Sequence, residues 1–187
     1  MMEKLLFVDT ETTGVDERVN GIVQISGIIE IDGDEKEQFD YRVAPFEGDM
    51  IDPKALMVIG KAEAQLQEGD LPVLVHGKLI ALLGKYSDKY DRSDKFDLVG
   101  FGATFDDDFL RAFFKKCNDN YYGSFVRWPP IDVAVLAATK LLGKRDMANF
   151  KLETVAEKFG IHVDKSKTHD ALYDIQLTRD LFRKVRS

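Results

Sequence analysis

Hydrophobic and polar positions along this chain change period several times, and each change marks an element. An apolar run from Leu5 to Val8 reads as a strand leading into Asp9-Thr10-Glu11-Thr12-Thr13-Gly14. Gly21 to Ile31, rich in Ile and Val, predicts a second strand. Asp32-Gly33 is a hairpin turn signal, and Glu37 to Val43 alternates as a third strand. The chain therefore opens as an antiparallel meander that ends at Ala44-Pro45.

Helical spacing follows. A short helix is expected over Lys54 to Ile59, stopped at Gly60, and a longer one from Pro72 to Tyr90. Val73, Leu79, Leu82, Leu83 and Tyr86 form the apolar stripe of the longer helix, and His76 within it reads as a packed or surface histidine. Asp97 to Gly102 is a short apolar strand after a helix, which implies a parallel crossover back onto the sheet. Phe105 to Lys116 is helical, burying Phe109, Leu110, Phe113 and Phe114. Tyr121 to Pro130 is an aromatic loop carrying Trp128. Ile131 to Val135 is either a last short strand or the lead into a helix ending near Gly143. Lys151 to Phe159 forms another helix, stopped by Gly160. Thr168 caps a final helix with Ala171, Ile175, Thr178, Phe182 and Val185 as its core stripe. The order β-β-β-α-β-α-β-α indicates an α/β fold, a mixed sheet flanked by helices. No linker-like segment divides residues 1–187, so one domain is expected.

Composition narrows the class without naming it. A chain of 187 residues with 44% hydrophobic and 32% charged content has the make-up of an ordinary globular protein with a full-sized core. The apolar run after Met1-Met2-Glu3-Lys4 is too short for a signal peptide or a membrane span, so no membrane association is expected. A lone cysteine, Cys117, excludes an internal disulfide and a thiolate metal cluster, and suggests a reducing, cytoplasmic setting. The net charge of -7 argues against sequence-independent coating of nucleic acid, which rests on Lys and Arg neutralising phosphates. It leaves room for an enzyme that grips one strand end through metal ions.

The candidate chemistry begins at the end of the first strand. Side chains alternate along a strand, so Asp9 and Glu11 share a face if the strand runs through them. Two like charges there are unfavourable unless a cation sits between them. Hard divalent ions such as Mg²⁺ are held by one or two carboxylates plus substrate phosphate oxygens. Asp106 stands where the fourth strand gives way to a helix. His169 and Asp174 lie five apart near the start of the last helix. Five helical steps turn a side chain by about 140°, so His169 sits at or just before the helix start while Asp174 projects from its second turn. Taken singly, each has an ordinary reading. Asp106 belongs to Asp106-Asp107-Asp108, and acidic residues favour first helical turns; Asp174 fits an exposed helix carboxylate and His169 a cap neighbour.

Together, the segments FVDTETTG, ATFDDDFL and THDALYD resemble the three motifs of the DEDDh exonucleases, whose members include the proofreading epsilon subunit of bacterial DNA polymerase III, ribonuclease T and oligoribonuclease. The PPIDV stretch and the FKLETVAEKFGI segment resemble the family as well, so the likeness covers nearly the whole chain. It implies a ribonuclease H-like fold, a five-stranded mixed sheet with the first strand central. It also implies a pair of Mg²⁺ or Mn²⁺ ions held by Asp9, Glu11, Asp106 and Asp174, with His169 as general base. The expected reaction is hydrolysis of the last phosphodiester at a 3′ end, releasing nucleoside 5′-monophosphates.

By the same resemblance Thr12, Thr13 and Gly14 lie where the terminal nucleotide approaches, and Ile59 and Phe105 resemble elements lining its base pocket. Simple core packing accounts for Phe105 equally well. Two departures bear on the hold on substrate: Phe101-Gly102 stands where many relatives carry His-Asn, and Ile59 where many carry a polar residue. No polymerase-binding tail follows the last helix, which argues against an integral replicase role. Lys165, Lys167, Arg179, Arg183, Lys184 and Arg186 read as a solvated basic face, with Lys165 and Lys167 beside His169 as candidates to touch the strand. The expected partner is a nucleic-acid 3′ end, single-stranded DNA first, with polymerase or repair proteins as further partners. An exoribonuclease and a catalytically silent nucleic-acid-binding module are the competing readings. Retention of all five motif residues counts against the silent module.

Overall fold

In a computed structural model of the chain, residues 2–144, 146–167 and 170–186 are described. Three strands open it: β1 (Lys4–Thr12), β2 (Ile22–Ile31) and β3 (Asp34–Arg42). They form the expected meander. The β2–β3 turn places Asp32 at φ 51° and Gly33 at φ 87°, the left-handed pair that the right-handed twist of a two-residue hairpin selects.

Three helices follow, α1 (Pro53–Ile59), α2 (Glu63–Leu66) and α3 (Pro72–Tyr86), before the chain returns as β4 (Asp97–Gly100). The remainder runs α4 (Ala103–Lys116), α5 (Tyr122–Phe125), β5 (Ile131–Asp132), α6 (Val133–Lys140), α7 (Leu152–Lys158) and α8 (Ala171–Arg186). The sheet order is β3-β2-β1-β4-β5, so β1 is central. It pairs antiparallel with β2 along its length and parallel with β4 over Leu5–Phe7 only. The stretch from Ile131 to Val135 serves both expected purposes, a two-residue strand running directly into α6.

The pleat of β1 divides the core in two. Leu6 and Val8 pack with buried residues of α3, α4 and α5 on one face. Leu5 and Phe7 pack with residues of α6, α7 and α8 on the other. Phe7 meets Phe182 of α8 edge to face, ring centroids 5.8 Å apart. The stripe expected on α8 is buried at all five positions, Ala171, Ile175, Thr178, Phe182 and Val185.

Several expectations are corrected. α3 stops at Tyr86 rather than Tyr90, because Ser87 turns extended (φ -144°) and its hydroxyl bonds the Asp94 carbonyl. Val73 is 61% exposed, and Val75 takes the core position instead. The aromatic loop contains a helical turn, α5. His76 packs edge to face on Phe114 and pairs with Asp119 at 3.1 Å, as a packed histidine should. Arg179 does not belong to a solvated face: it is 6% exposed and its guanidinium pairs with Glu30, 4% exposed, and with Glu35. Arg183 adds a second contact to Glu30 at 2.7 Å. Buried charges persist where they are paired and hydrogen-bonded, and this network ties α8 to β2 and β3. Among the described residues no helix is long and apolar enough to cross a membrane.

Candidate active site

β1 outruns its parallel neighbour. Its pairing with β4 ends at Phe7–Val99, so beyond that point the backbone groups of β1 facing β4 have no ladder partner. Buried backbone N–H groups need one. The chain leaving β4 supplies it: Gly102, at φ 88°, turns the backbone into α4, and Asp106 reaches back from the first turn of that helix. Its Oδ1 accepts the Thr10 backbone N–H at 3.0 Å and the Thr10 hydroxyl at 2.8 Å. One carboxylate thus closes the open edge of the central strand and is fixed beside Asp9 and Glu11.

Alternation sets the other carboxylates. The strand runs through residues 9 and 11, so Asp9 and Glu11 share the face of Leu5 and Phe7, the face covered by α8. Asp174 lies in the first turn of α8, one residue before the buried Ile175. The second-turn placement expected for it is corrected, because the helix begins at Ala171. His169, expected as general base, and Thr168, expected as the cap, lie outside the described residues.

The electrostatics report the convergence. Asp9 is held well above the ordinary carboxylate range, first by burial and then by the charges of Asp106, Glu11 and Asp174. Those groups come from three elements that are far apart in sequence. Asp106 is pushed up to about 7, with burial the main cause; the two hydrogen bonds from Thr10 pull it down and the nearby charge of Asp132 adds to the rise. Among the described residues no three His, Cys, Asp or Glu side chains close into a group that could hold a metal ion unaided. The carboxylates stand within electrostatic reach of one another without forming a closed cage. Their all-oxygen chemistry and mutual repulsion fit hard divalent cations that keep part of their shell for water and substrate.

Beside this cluster opens a cleft of about 490 Å³ lined by Thr10, Glu11, Thr12, Gly14, Val15, Asp52, Lys54, Ala55, Val58, Ile59 and Phe105. Four of the five residues expected to contact substrate line it: Thr12, Gly14, Ile59 and Phe105. Thr13 is turned inward. It is fully buried, its hydroxyl donates to the Met50 carbonyl at 2.7 Å and accepts the Gly21 N–H at 2.9 Å, and its carbonyl accepts the Asp52 N–H at 2.7 Å. Thr13 builds the cleft without facing it. Gly14 is required by contact: a Cβ there would lie 2.4 Å from the Asn20 side chain. Phe105 is 38% exposed while its ring sits 4.7 Å from that of Phe109, so it bridges cleft and core.

Sequence reasoning missed Thr10, which positions Asp106. It also left Asp132 without a role. That side chain caps α6 by accepting the Ala134 N–H at 2.9 Å and ties the two strand–helix junctions together by accepting the Gly102 N–H at 3.1 Å. Lys165 and Lys167, candidates to touch the strand, pair with Glu157 at 3.3 Å and Asp164 at 3.9 Å. Cys117 is half-buried and its thiol is pushed up to about 11 by burial and Asp119, which makes it a poor nucleophile.

A central strand whose end carries acidic groups, met by helices on both faces of a five-stranded mixed sheet, is a ribonuclease H-like fold. The family model described as an exonuclease matches residues 6–182. The chain belongs to the exonuclease family and carries the domain of a 3′–5′ exonuclease. It is 26% identical over 180 residues to Ribonuclease T of Pectobacterium atrosepticum, covering 94% of this chain and 78% of that protein. Its fold is similar to that of E. coli Exonuclease I in complex with a dT13 oligonucleotide, with a TM-score of 0.76 and 19% identity over 99% of this chain. A zinc-ion-bound form of the E. coli Exonuclease I–single-stranded DNA complex matches with the same TM-score and identity. The chain spans 41% of Exonuclease I in each case.

Proposed function

We propose that residues 1–187 form one exonuclease domain that hydrolyses the terminal phosphodiester at the 3′ end of single-stranded nucleic acid, DNA first, and releases nucleoside 5′-monophosphates. The observation that carries this reading is the meeting of Asp9 and Glu11 on β1 with Asp106 from α4 and Asp174 from α8 at the uncovered end of the central strand. These four carboxylates are the proposed ligands for two divalent cations, Mg²⁺ or Mn²⁺. When bound, such cations supply charge stabilisation for the phosphoryl transition state and lower the pKa of water. The zinc-bound Exonuclease I complex supports a divalent-metal site in this fold.

The chain's own groups account for the rest. Thr10 holds Asp106 in one rotamer and favours its charged form. The apolar wall of Val58, Ile59 and Phe105 receives the terminal base by sequence-tolerant stacking. His169, whose side chain type titrates near neutrality, takes the proton of the attacking water. The water oxygen forms a bond to phosphorus, the bond from phosphorus to the 3′ oxygen of the penultimate nucleotide breaks, and that oxygen takes a proton from solvent water to end as a hydroxyl, while His169 returns its proton to solvent. A second reading, an exoribonuclease trimming RNA 3′ ends, is favoured by the likeness to Ribonuclease T.

A 5′-labelled oligonucleotide ladder tests the reading on single-stranded DNA, duplex DNA and RNA side by side. Stepwise shortening in Mg²⁺ or Mn²⁺, abolished by Asp9→Ala, is expected. Cleavage that persists unchanged in Asp9→Ala defeats it. The faster of the DNA and RNA ladders decides between the two substrates.

A further inference from the structure

The cleft beside the carboxylates has a composition that the acidic cluster does not explain. Its lining is apolar, neutral polar or acidic, and Lys54 is the one positively charged side chain lining it among the described residues. Lys54 is exposed and makes no ion pair among the described residues. Lys116, Lys165 and Lys167, by contrast, pair with Asp49, Glu157 and Asp164. An unpartnered ammonium inside a cleft of a chain with net charge -7 is a binding group for an anion.

Its backbone is held in place. Pro53 occupies the first helical position of α1, and the Asp52 carboxylate accepts the Lys54 N–H at 2.8 Å. The Asp52 N–H is in turn bonded to the Thr13 carbonyl at 2.7 Å. The stem of Lys54 therefore rises from a point tied to the loop directly after β1, on the helix that also brings Val58 and Ile59 to the cleft. Apolar surface for a base and one cation for a phosphate, in one cleft, is the pattern that a nucleotide presents in reverse.

We propose that Lys54 binds a phosphate group of the substrate strand and so sets substrate affinity at this site. The inference rests on the exonuclease reading. Two phosphates share this chemistry: the phosphodiester being cut and its neighbour one nucleotide upstream. The ammonium is a point charge with rotatable donors, so the contact adds affinity without demanding one geometry. Asp9, Glu11 and Asp106 need no partnership with it.

The experiment uses the full chain with a 5′-labelled oligodeoxynucleotide decamer and with the p-nitrophenyl ester of thymidine 5′-monophosphate, which carries a single phosphate. Removing one charged phosphate partner from a single-strand complex lowers the log-log salt slope by about 0.7, or roughly fivefold in affinity near 0.1 M salt. Lys54→Ala is therefore expected to raise KM on the decamer about fivefold and to flatten its salt dependence by about 0.7, with kcat within about twofold. Lys54→Arg is expected to restore both. A matching rise on the aryl ester assigns the contact to the phosphodiester being cut; a rise confined to the decamer assigns it upstream. Unchanged KM and salt slope in an active Lys54→Ala enzyme overturn the inference, as does a KM rise that Lys54→Arg leaves unrepaired. A wild-type protein that shortens no oligonucleotide and leaves the aryl ester intact defeats the exonuclease reading itself. An unaltered melting temperature identifies a folded variant, since the side chain is exposed.

Discussion

Asp106 accepts both the backbone N–H and the hydroxyl of Thr10, at 3.0 and 2.8 Å, across 96 residues of sequence. The pair joins the central strand to α4 where β4 has ended, and it opposes the burial that pushes Asp106 up to about 7. A carboxylate proposed to hold a cation is thus aimed, and its charged form favoured against burial, by the middle residue of the Asp9-Thr10-Glu11 motif.

Thr10→Val keeps the side-chain shape and the backbone N–H but removes one charge-assisted hydrogen bond, worth about 1.5–3 kcal/mol. Asp106 then titrates higher. The expected outcome is a fall in kcat/KM of about tenfold or more at neutral pH, shrinking as the pH is raised, while Thr10→Ser stays near wild type. A pH–rate profile of the three proteins checks it. A Thr10→Val profile that overlays wild type contradicts the role given to the hydroxyl.

Metal-free stability should carry the signature of the raised carboxylates. An unfolded Asp loses its proton near pH 4, whereas folded Asp106 keeps it up to about 7. Between those values the folded state binds the extra proton, so stability falls as the pH rises through this window. Asp9, also raised, acts in the same direction. In EDTA, wild-type melting temperature is expected to drop between about pH 4 and 7. Asp106→Asn, whose amide oxygen can still accept from Thr10, should flatten that slope and melt higher than wild type near pH 7, by roughly 4 °C for a gain of about 1–2 kcal/mol. Thermal scans across the window decide it, and a variant that melts no higher at neutral pH counts against the raised pKa.

The buried Arg179 network makes a prediction about the scaffold. Removing one partner of a buried ion pair costs about 3–5 kcal/mol, and Glu30 keeps Arg183 as a remaining contact at 2.7 Å. Arg179→Met is therefore expected at the lower end, about 3 kcal/mol, and Arg179→Met with Glu30→Met should recover part of the stability. Denaturant unfolding of the single and double variants measures the coupling. A single variant within about 0.5 kcal/mol of wild type is what a solvated residue would give.

Much of the scaffold is visible in local pattern because it is local. Asp32-Gly33, Gly60 and the five-residue stripe of α8 declare themselves through turn chemistry and helical period, and the structure places them as expected. The start of α3 does not. Leu71, Val73 and Leu74 are apolar yet more than half exposed, so an apolar run that covers every side of a first turn gives period no purchase. Arg179 was illegible for another reason. A basic residue on a helix looks solvated until its partner is known, and Glu30 lies 149 residues away. Thr10 reads as an ordinary strand residue for the same cause. The acidic positions were legible as a family resemblance, whereas the inward turn of Thr13 and the single positive charge that Lys54 brings to the cleft depend on how the loop after β1 meets the start of α1.

The central claim is that carboxylates from β1, α4 and α8 together hold divalent cations. Calorimetric titration of Mn²⁺ into metal-free protein tests it most directly. The account predicts saturable binding by wild type, weakened severalfold or more when Asp106→Asn alters α4 and again when Asp174→Asn alters α8. Undiminished Mn²⁺ binding by both variants would contradict it.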